Sequence, residues 1–463
     1  MNEAVINKEN QLRNDQWSMA AALFFFIAAI FFHVSLLLHI KDQNIRMMYY
    51  DAMNTPDPPP RQDFNALYTQ SKNLVSGKSI YTPIDELLGK KKQRAEDAIP
   101  PEIQPKPRAY LPPFRYLPAA ALVGLPFTLL PFDWAYPAWV VFHEILIFLA
   151  LYILFKSTAG LRLGLILGGM LMFFAPYYLE IFQGQFSWPQ AFLMLLVFYN
   201  LEFGPERKAM WAFIVTILWK LNTLLWVIPI AMAGRRRWLV WLVVAVFIGS
   251  VPYFLIHPGD VKAFIGINLR PDLTHSYHFG NSGLRMLIDV LLRRVEYFNN
   301  GTLPDVVVKY SSLLVALILF GLTTQASWRR RHDLVGCLLI FSTLYFLIYI
   351  DVWVHHWLMI LPVVIWEYKR TQSPFVFVIW FLLALPTRFD WIGHFNELKP
   401  FFPTPERVPH FNLALLYFSQ KSIPALALWV WQFRIMMKGH RDSPHAIQDS
   451  GIFTASPREG QSL

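Results

Sequence analysis

The sequence contains a series of long apolar segments with almost no charge. The first, residues 17–40, can cross a bilayer, since about 20 helical residues span the hydrocarbon core. It is too long for a signal-peptide core and lacks a small-residue cleavage site, so it is interpreted as a retained span. The further candidate membrane helices are 114–131, 133–155, 163–183, 188–203, 209–233, 238–256, 305–324, 334–350, 356–366, 374–388 and 411–432. This pattern predicts an all-α integral membrane protein.

Basic residues cluster in the short connections between these segments, which marks the connections as cytoplasmic. The net charge of +10 is therefore attributed to membrane topology and contact with anionic lipids, and no nucleic-acid partner is expected. The single cysteine, Cys337, excludes an intrachain disulfide and a Cys-rich metal site. The clusters are Lys156 with Arg162, Arg207 with Lys208, Arg235–Arg237, Arg329–Arg331, Lys369 with Arg370, and Arg434 with Lys438.

Two segments must be irregular if all of these clusters face one side. Segment 114–131 contains three prolines and a glycine and is interpreted as a re-entrant or interfacial element. Segment 209–233 has basic clusters at both ends, and a break near Lys220 gives two half-helices, each about 17 Å long. They would form a hairpin whose tip holds Lys220 and Asn222 inside the membrane. The alternative is one ordinary span with Arg235–Arg237 outside.

The hairpin interpretation gives a single domain over residues 1–438, with about twelve membrane helices and both termini cytoplasmic. The outer side then holds a long first loop, 41–113, which is expected to carry interfacial helices. The other outer segments are 184–188, 257–303, 351–356 and 389–410. The basic run Lys90–Arg94 is expected to be a solvated loop. The tail 439–463 is polar, without apolar periodicity, and is expected to be disordered and cytoplasmic.

Residues 61–81, RQDFNALYTQSKNLVSGKSIY, predict an amphipathic helix just outside the first span. Its apolar positions, Phe64, Leu67, Tyr68, Leu74 and Val75, fall on one face at helical spacing. Asp63 stands at the start of this helix, where exposed amides and the helix dipole favour an acid. Asp63 is therefore either a helix cap or a chemical group held at the membrane surface.

A series of short motifs follows the chain in this order: Asp63-Phe64, Tyr68, Val75 to Tyr81, Leu111-Pro112-Pro113, Gly184-Gln185, Lys220, Gly280 to Arg285, and Trp353 to Trp357. Together they resemble glycosyltransferase family 87, whose members have the GT-C fold. The resemblance covers residues from about 17 to 370. The chain departs from the family pattern in the long insertion 84–108, in Phe186 to Trp188 after Gln185, and in the missing glutamine after Asn281.

The resemblance implies a multi-pass enzyme of the bacterial inner membrane whose active site faces the periplasm. Such an enzyme takes a sugar, mannose by default, from a polyprenyl-phosphate donor and gives it to an envelope lipid or glycan. The acceptor hydroxyl has a pKa far above 7, so a carboxylate must take its proton as the new bond forms. One inverting displacement needs one such base, and the resemblance assigns this role to Asp63.

The leaving phosphate requires cations and hydrogen-bond donors. Lys220, an ionisable residue inside an apolar segment, is the first candidate, and snorkelling to the surface is its alternative. Arg285 is the second candidate, or else a headgroup-contacting surface arginine. His355 or His356 could bind phosphate or relay a proton, and the resemblance favours one of them, with a preference for His356. The remaining substrate-binding candidates are Tyr68, Lys78, Tyr81, Gln185, Asn281 and Trp353.

No metal or other cofactor is expected. Adjacent histidines on a helix point about 100° apart and chelate one metal poorly. The outer loops lack an Asp-x-Asp motif, and Glu180 and Asp351 are interpreted as isolated acids. A multi-span secondary transporter is the main alternative function, because a broken intramembrane hairpin with a lysine also fits transporters. A flippase or a ligase using a lipid-pyrophosphate donor is a third possibility.

Overall fold

The computed structural model describes residues 3–38, 62–81, 114–269, 282–288, 291–292, 305–386 and 408–438. Every regular element named within these ranges is helical. The 3₁₀ turns are Pro118–Gly124, Leu221–Trp226 and Val354–Ile360. The α-helices are α1 (Glu3–Leu38), α2 (Gln62–Val75), α3 (Leu125–Thr128), α4 (Phe132–Lys156), α5 (Leu161–Met172), α6 (Pro176–Gln183), α7 (Ser187–Phe203), α8 (Glu206–Trp219), α9 (Val227–Met232), α10 (Arg236–Ile256), α11 (Gly259–Leu269), α12 (Asp305–Arg329), α13 (Leu334–Ile348), α14 (Leu361–Thr371), α15 (Pro374–Ala384) and α16 (Val408–Met437).

Four described helices are long and apolar enough to cross a membrane: Asp15–Leu38 within α1, Phe132–Lys156, Arg236–Ile256 and Tyr310–Arg329. The pair α5 and α6 makes a fifth if it is one span, bent by 50° between its halves. The predicted segment 163–183 is therefore broken. These helices make the chain an integral membrane protein, while the predicted count of about twelve membrane helices stays a prediction.

Segment 209–233 reverses direction at Lys220, as the hairpin interpretation predicts. The Lys220 backbone is extended (φ −154°, ψ 125°), so α8 ends there and the second 3₁₀ turn follows. At the opposite end Arg235 Nη1 and Trp238 Nε1 both donate to the Glu206 carboxylate, at 2.8 and 2.9 Å. A straight helix would separate Glu206 from Arg235 by about 43 Å. The alternative of one ordinary span is therefore wrong.

Segment 114–131 lies against α2 as a compact 3₁₀ turn followed by α3. Gly124 permits this approach, because a Cβ there would overlap the Ser71 hydroxyl. Ser71 Oγ lies 2.7 Å from the carbonyls of both Leu67 and Ala121, and so links the two elements. The segment forms the platform on which α2 rests, and its re-entrant or interfacial position in a membrane stays a prediction.

An aromatic cluster holds α2 to the rest of the fold. Phe64, Leu67 and Tyr68 are buried in it and pack against Phe132 and Trp139. Val75 is 70% exposed, so its predicted place on the buried face is wrong. The helix ends at Val75, whereas Leu74 in the same turn packs against the cluster.

The core is centred on α13, whose residues Leu334 to Leu347 are all buried. Helices α12 and α16 flank α13, and α15 packs on α16. Lys421 of α16 is fully buried and donates to the Leu383 and Leu385 carbonyls, which satisfies the end of α15. The predicted tail, most of loop 41–113, most of 257–303 and most of 389–410 lie outside the described residues.

Candidate active site

The turn between α6 and α7 is built around Glu180. The Glu180 backbone carbonyl accepts a hydrogen bond from Gln185 N at 3.0 Å. Its carboxylate Oε1 accepts another from Trp188 N at 2.7 Å, which satisfies an amide in the first turn of α7. Glu180 is fully buried. The backbone carbonyl and the carboxylate of Glu180 therefore both stabilise the turn that carries Gln185 and Ser187.

Gly184 brings this turn against the start of α2. It has the left-handed conformation (φ 69°), which favours glycine. A Cβ on Gly184 would overlap the Phe64 side chain and lie 3.2 Å from the Phe64 backbone nitrogen. The backbone of α2 thus touches the turn directly. This contact sets Asp63, one residue before Phe64, beside Gln185.

Lys220 reaches the same turn from the hairpin tip. It is 4% exposed, and its Nζ donates to Ser187 Oγ at 2.9 Å. The ammonium also lies 5.7 Å from the centre of the Phe186 ring. Gln190 Nε2 donates to the Lys220 carbonyl at 2.9 Å and anchors the tip. The ammonium is therefore held inside the protein at this turn, and snorkelling to the surface is excluded.

The loop before the third 3₁₀ turn closes the other side of the site. Arg115 Nη1 lies 3.6 Å from the Asp351 carboxylate. Trp353 N donates to His356 Nδ1 at 3.3 Å, which leaves His356 Nε2 to carry the proton of the neutral ring. The rings of His355 and His356 are 4.5 Å apart and nearly perpendicular. The site thus combines carboxylates, cations and imidazoles from five parts of the chain.

Burial raises the pKa of Asp63 from its usual value near 3.8 to about 6, although part of its surface stays open. The Gln185 amide and the charges of Lys220 and Arg115 partly offset this rise, and the Glu180 carboxylate adds to it. A carboxyl with a pKa just below 7 is ionised at neutral pH and still basic enough to take a proton.

The structure brings together Asp63, Gln185, Lys220 and His356, as their charge and hydrogen-bond contacts show. Trp353 and His355 adjoin them. Tyr68 and Tyr81 lie in the aromatic cluster behind Asp63, and their hydroxyls donate to backbone carbonyls at 2.8 and 2.6 Å.

The other predicted positions are Lys78, Arg285 and Asn281. Lys78 is exposed after the end of α2. Arg285 Nη2 lies 3.2 Å from Ser312 Oγ, beside α12. Its segment docks on the third 3₁₀ turn, where Trp357 Nε1 donates to Ser282 Oγ at 2.6 Å. Asn281 lies outside the described residues.

The structure adds three residues to the site that the sequence pattern does not single out: Glu180, Asp351 and Arg115. Glu180 and Asp351 were interpreted as isolated acids, which is wrong: Glu180 acts on Asp63 and Lys220, and Asp351 pairs with Arg115. Arg115 follows the double proline and was not considered. The sequence signal for Glu180 is its position four residues before Gly184. A glycine just after a helix commonly has a left-handed conformation, in which backbone amides donate to carbonyls of the last helical turn.

No group of three or more His, Cys, Asp or Glu side chains is placed to hold a metal ion within the ranges that the structure describes. Asp351 and the two histidines belong to the same loop, but Asp351 is turned to Arg115. The expectation that no metal is required stays a prediction.

One of three comparisons with known proteins found a match. A search of curated proteins and a search of solved structures each found no match. The model of glycosyltransferase family 87 matches residues 114–349, about half of the chain. The matched range includes Arg115, Glu180, Gln185 and Lys220, whereas Asp63 and His356 lie on either side of it. The chain is a membrane protein that belongs to glycosyltransferase family 87.

Proposed function

We propose that this glycosyltransferase moves a sugar from a polyprenyl-phosphate donor to a hydroxyl group of an envelope lipid or glycan, with inversion at the sugar carbon. Mannose is the default sugar. The reaction takes place at the periplasmic face of the bacterial inner membrane. The observation that carries the proposal is the juxtaposition of Asp63, which has a pKa of about 6, with the buried ammonium of Lys220.

Asp63 is the general base. It stands at the N-terminus of α2, keeps part of its surface open, and is held in place by the contact between Phe64 and Gly184. Its carboxylate takes the acceptor proton while the acceptor oxygen attacks the sugar carbon and the bond to the phosphate breaks. Positioned base catalysis contributes about 10²–10⁴-fold to such a reaction.

Lys220 and Arg115 stabilise the phosphate as it leaves. Both act electrostatically on Asp63, so they lie close enough to the reacting atoms to neutralise the developing charge. His356 supplies an Nε2–H donor when its ring is neutral, because its Nδ1 is used by Trp353 N. Gln185 is a neutral donor beside the base. In this assignment the sugar lies between Asp63 on one side and Lys220 with His356 on the other.

The donor must enter from the lipid, because its polyprenyl chain is apolar. The long apolar helices of the fold support a membrane location for the site, from which the donor can enter through the lipid. The base then stands just outside the hydrocarbon, where a lipid-linked phosphate and a polar acceptor meet.

The test is sugar transfer by purified protein. Polyprenyl-phosphate mannose, glucose and arabinose, each with a radiolabelled sugar, are incubated with the protein and a membrane lipid extract. Label is expected to move to a lipid or glycan with one of the donors and to be lost in Asp63→Asn. Asp133→Asn, an exposed acid in the first turn of α4, is the matched control and keeps the activity. Full transfer by Asp63→Asn removes Asp63 as the base, and no transfer with any donor removes the lipid-phosphate donor class.

A further inference from the structure

Two fully buried titratable side chains face each other directly behind the site. His143 of α4 and Glu180 of α6 are both 0% exposed, and His143 Nε2 lies 3.7 Å from Glu180 Oε1. Neither His143 Nε2 nor Glu180 Oε2 has a hydrogen-bond partner within the described residues. Neither of these two atoms takes part in the roles proposed for Asp63 and Lys220.

The hydrogen bond of His143 Nδ1 determines which ring nitrogen carries the proton when the ring is neutral. His143 Nδ1 lies 2.9 Å from the Trp139 carbonyl oxygen, which can only accept, so Nδ1 carries a proton. In a neutral ring Nε2 is then a lone pair. A lone pair facing a buried carboxylate oxygen at this distance is repulsive and leaves two acceptors unsatisfied. A proton on Nε2 turns this repulsion into an attraction between two buried opposite charges.

We propose that His143 and Glu180 form an ion-paired dyad that holds one proton, and that this dyad sets the charge behind the general base. The proposal rests on the proposed role of Asp63. His143 Nε2 carries the proton and faces Glu180 Oε1 at 3.7 Å, so the dyad carries no net charge. Both are positioning residues, since they act on the reaction through Asp63 and through the turn 184–188.

The surroundings of the dyad show how it is connected to the site. The Glu180 carboxylate interacts electrostatically with Asp63 and Lys220, and it accepts a hydrogen bond from Trp188 N. A change in its charge or its position therefore affects Asp63, Lys220 and the turn 184–188. Trp188 Nε1 also donates to the His143 carbonyl at 3.2 Å, which ties the two helices together. Arg115 is the other cation acting on Asp63.

A second polar group lies on the far side of the dyad. His33 Nε2 is 3.0 Å from Glu144 Oε2, and Tyr177 OH donates to Glu144 Oε1 at 2.7 Å. Glu144 follows His143 in α4 and acts on it electrostatically, and Tyr177 is also near Glu180. Because Glu144 already has two partners, it leaves the proton of the dyad to His143 and Glu180.

A neutral dyad shields Asp63 from the Glu180 charge. Glu180→Gln removes the carboxylate, while its amide can accept from Trp188 N and donate to His143 Nε2. The Glu180→Gln variant with a neutral His143 ring then carries the same net charge as the dyad, so the acid limb of the pH–rate profile, which reports Asp63, is expected to stay within about 0.3 pH unit of the wild type. His143→Gln can donate to Glu180 but brings no positive charge, so the unpaired Glu180 carboxylate moves the limb up by about half to one pH unit. An upward shift on loss of the histidine, with no shift on loss of the carboxylate, is the signature of the dyad.

The control is Glu367→Gln. Glu367 is a buried carboxylate of α14 that contacts Gln432 and is not among the main charges acting on Asp63. Its substitution is expected to leave the acid limb in place. A purely structural role of Glu180 and His143 would lower the rate at every pH without moving the limb in either variant. That result, or a downward move of the limb in Glu180→Gln, overturns the proposal.

A second measurement detects the proton without turnover. In protein labelled with ¹⁵N-histidine, the signal of His143 is the one of 13 histidine signals that His143→Gln removes. Its Nε2 is expected to carry a proton at pH 7. A free Nε2 lone pair overturns the dyad. If Asp63→Asn keeps full transfer while this proton is present, the proposed base is wrong but the dyad stands.

Discussion

Replacement of Asp63 by Asn is expected to abolish transfer and to stabilise the fold at high pH. Burial raises the pKa of Asp63 from about 3.8 to about 6, so the folded protein binds its proton more tightly than the unfolded chain does. The corresponding stability is fully present below pH 4 and is lost as the pH rises through 6. At pH 8 the ionised carboxylate therefore destabilises the fold, and the neutral Asn removes that penalty.

The magnitude follows from the two pKa values. A difference of about two between the folded and unfolded pKa values corresponds to a free energy of about 3 kcal/mol. Solvent at the open side of Asp63 reduces this value, so Asp63→Asn is expected to gain about 1–3 kcal/mol in its free energy of unfolding at pH 8. With an unfolding entropy of about 2.1 cal/mol/K per residue over the 463 residues, this corresponds to a rise in Tm of about 1–3 °C. At pH 4 the two proteins are expected to melt within about 1 °C of each other, since Asp63 is then protonated.

The assay uses the single cysteine of the chain. Cys337 is buried, so a thiol-reactive fluorescent dye reports unfolding in detergent. Melting curves of the wild type and Asp63→Asn are recorded at pH 4 and pH 8, with Asp133→Asn as the exposed control, which is expected to shift neither curve. A lower Tm for Asp63→Asn at pH 8 refutes the reasoning, because it means that the carboxylate stabilises the fold.

Three further outcomes are expected from the site. Lys220→Met, which keeps the length and loses the charge, raises the KM for the donor and lowers kcat/KM by about 10²-fold or more in transfer assays. Gly184→Ala introduces a Cβ against Phe64 at a left-handed position, and so moves α2 and lowers both Tm and kcat; an unchanged kcat contradicts the placement of Asp63 by this contact. Tyr68→Phe loses only the hydrogen bond to the Leu130 carbonyl, lowers stability by about 1 kcal/mol, and keeps transfer if Tyr68 only packs.

Periodicity and charge were sufficient to locate the elements that carry the site. The extended backbone at Lys220 and the meeting of Glu206 with Arg235 agree with a hairpin inferred from basic clusters at both ends of one apolar segment. Helix α2 runs over most of the segment predicted from the spacing of Phe64, Leu67 and Tyr68. Both inferences use contacts within a few turns of helix, which a sequence encodes directly.

Contacts between distant segments could not be inferred in this way. Glu180 appeared isolated because its partners, Lys220 and His143, are about 40 residues away in either direction, and Asp351 pairs with Arg115 across more than 200 residues. Such pairs depend on how helices cross, and hydrophobic pattern carries little information about crossing. The resemblance to the family named Asp63 and Lys220 but gave no reason for Glu180, whose role arises from burial.

The most direct test of the account is the pH dependence of sugar transfer by the wild type and by Asp63→Asn, from pH 5 to pH 8, with a labelled polyprenyl-phosphate sugar. The account predicts a wild-type rate that falls about tenfold from pH 7 to pH 5 around a midpoint near 6, as a base of that pKa is protonated, and a variant slower by about 10²–10⁴-fold at pH 7. A variant with the wild-type rate contradicts it.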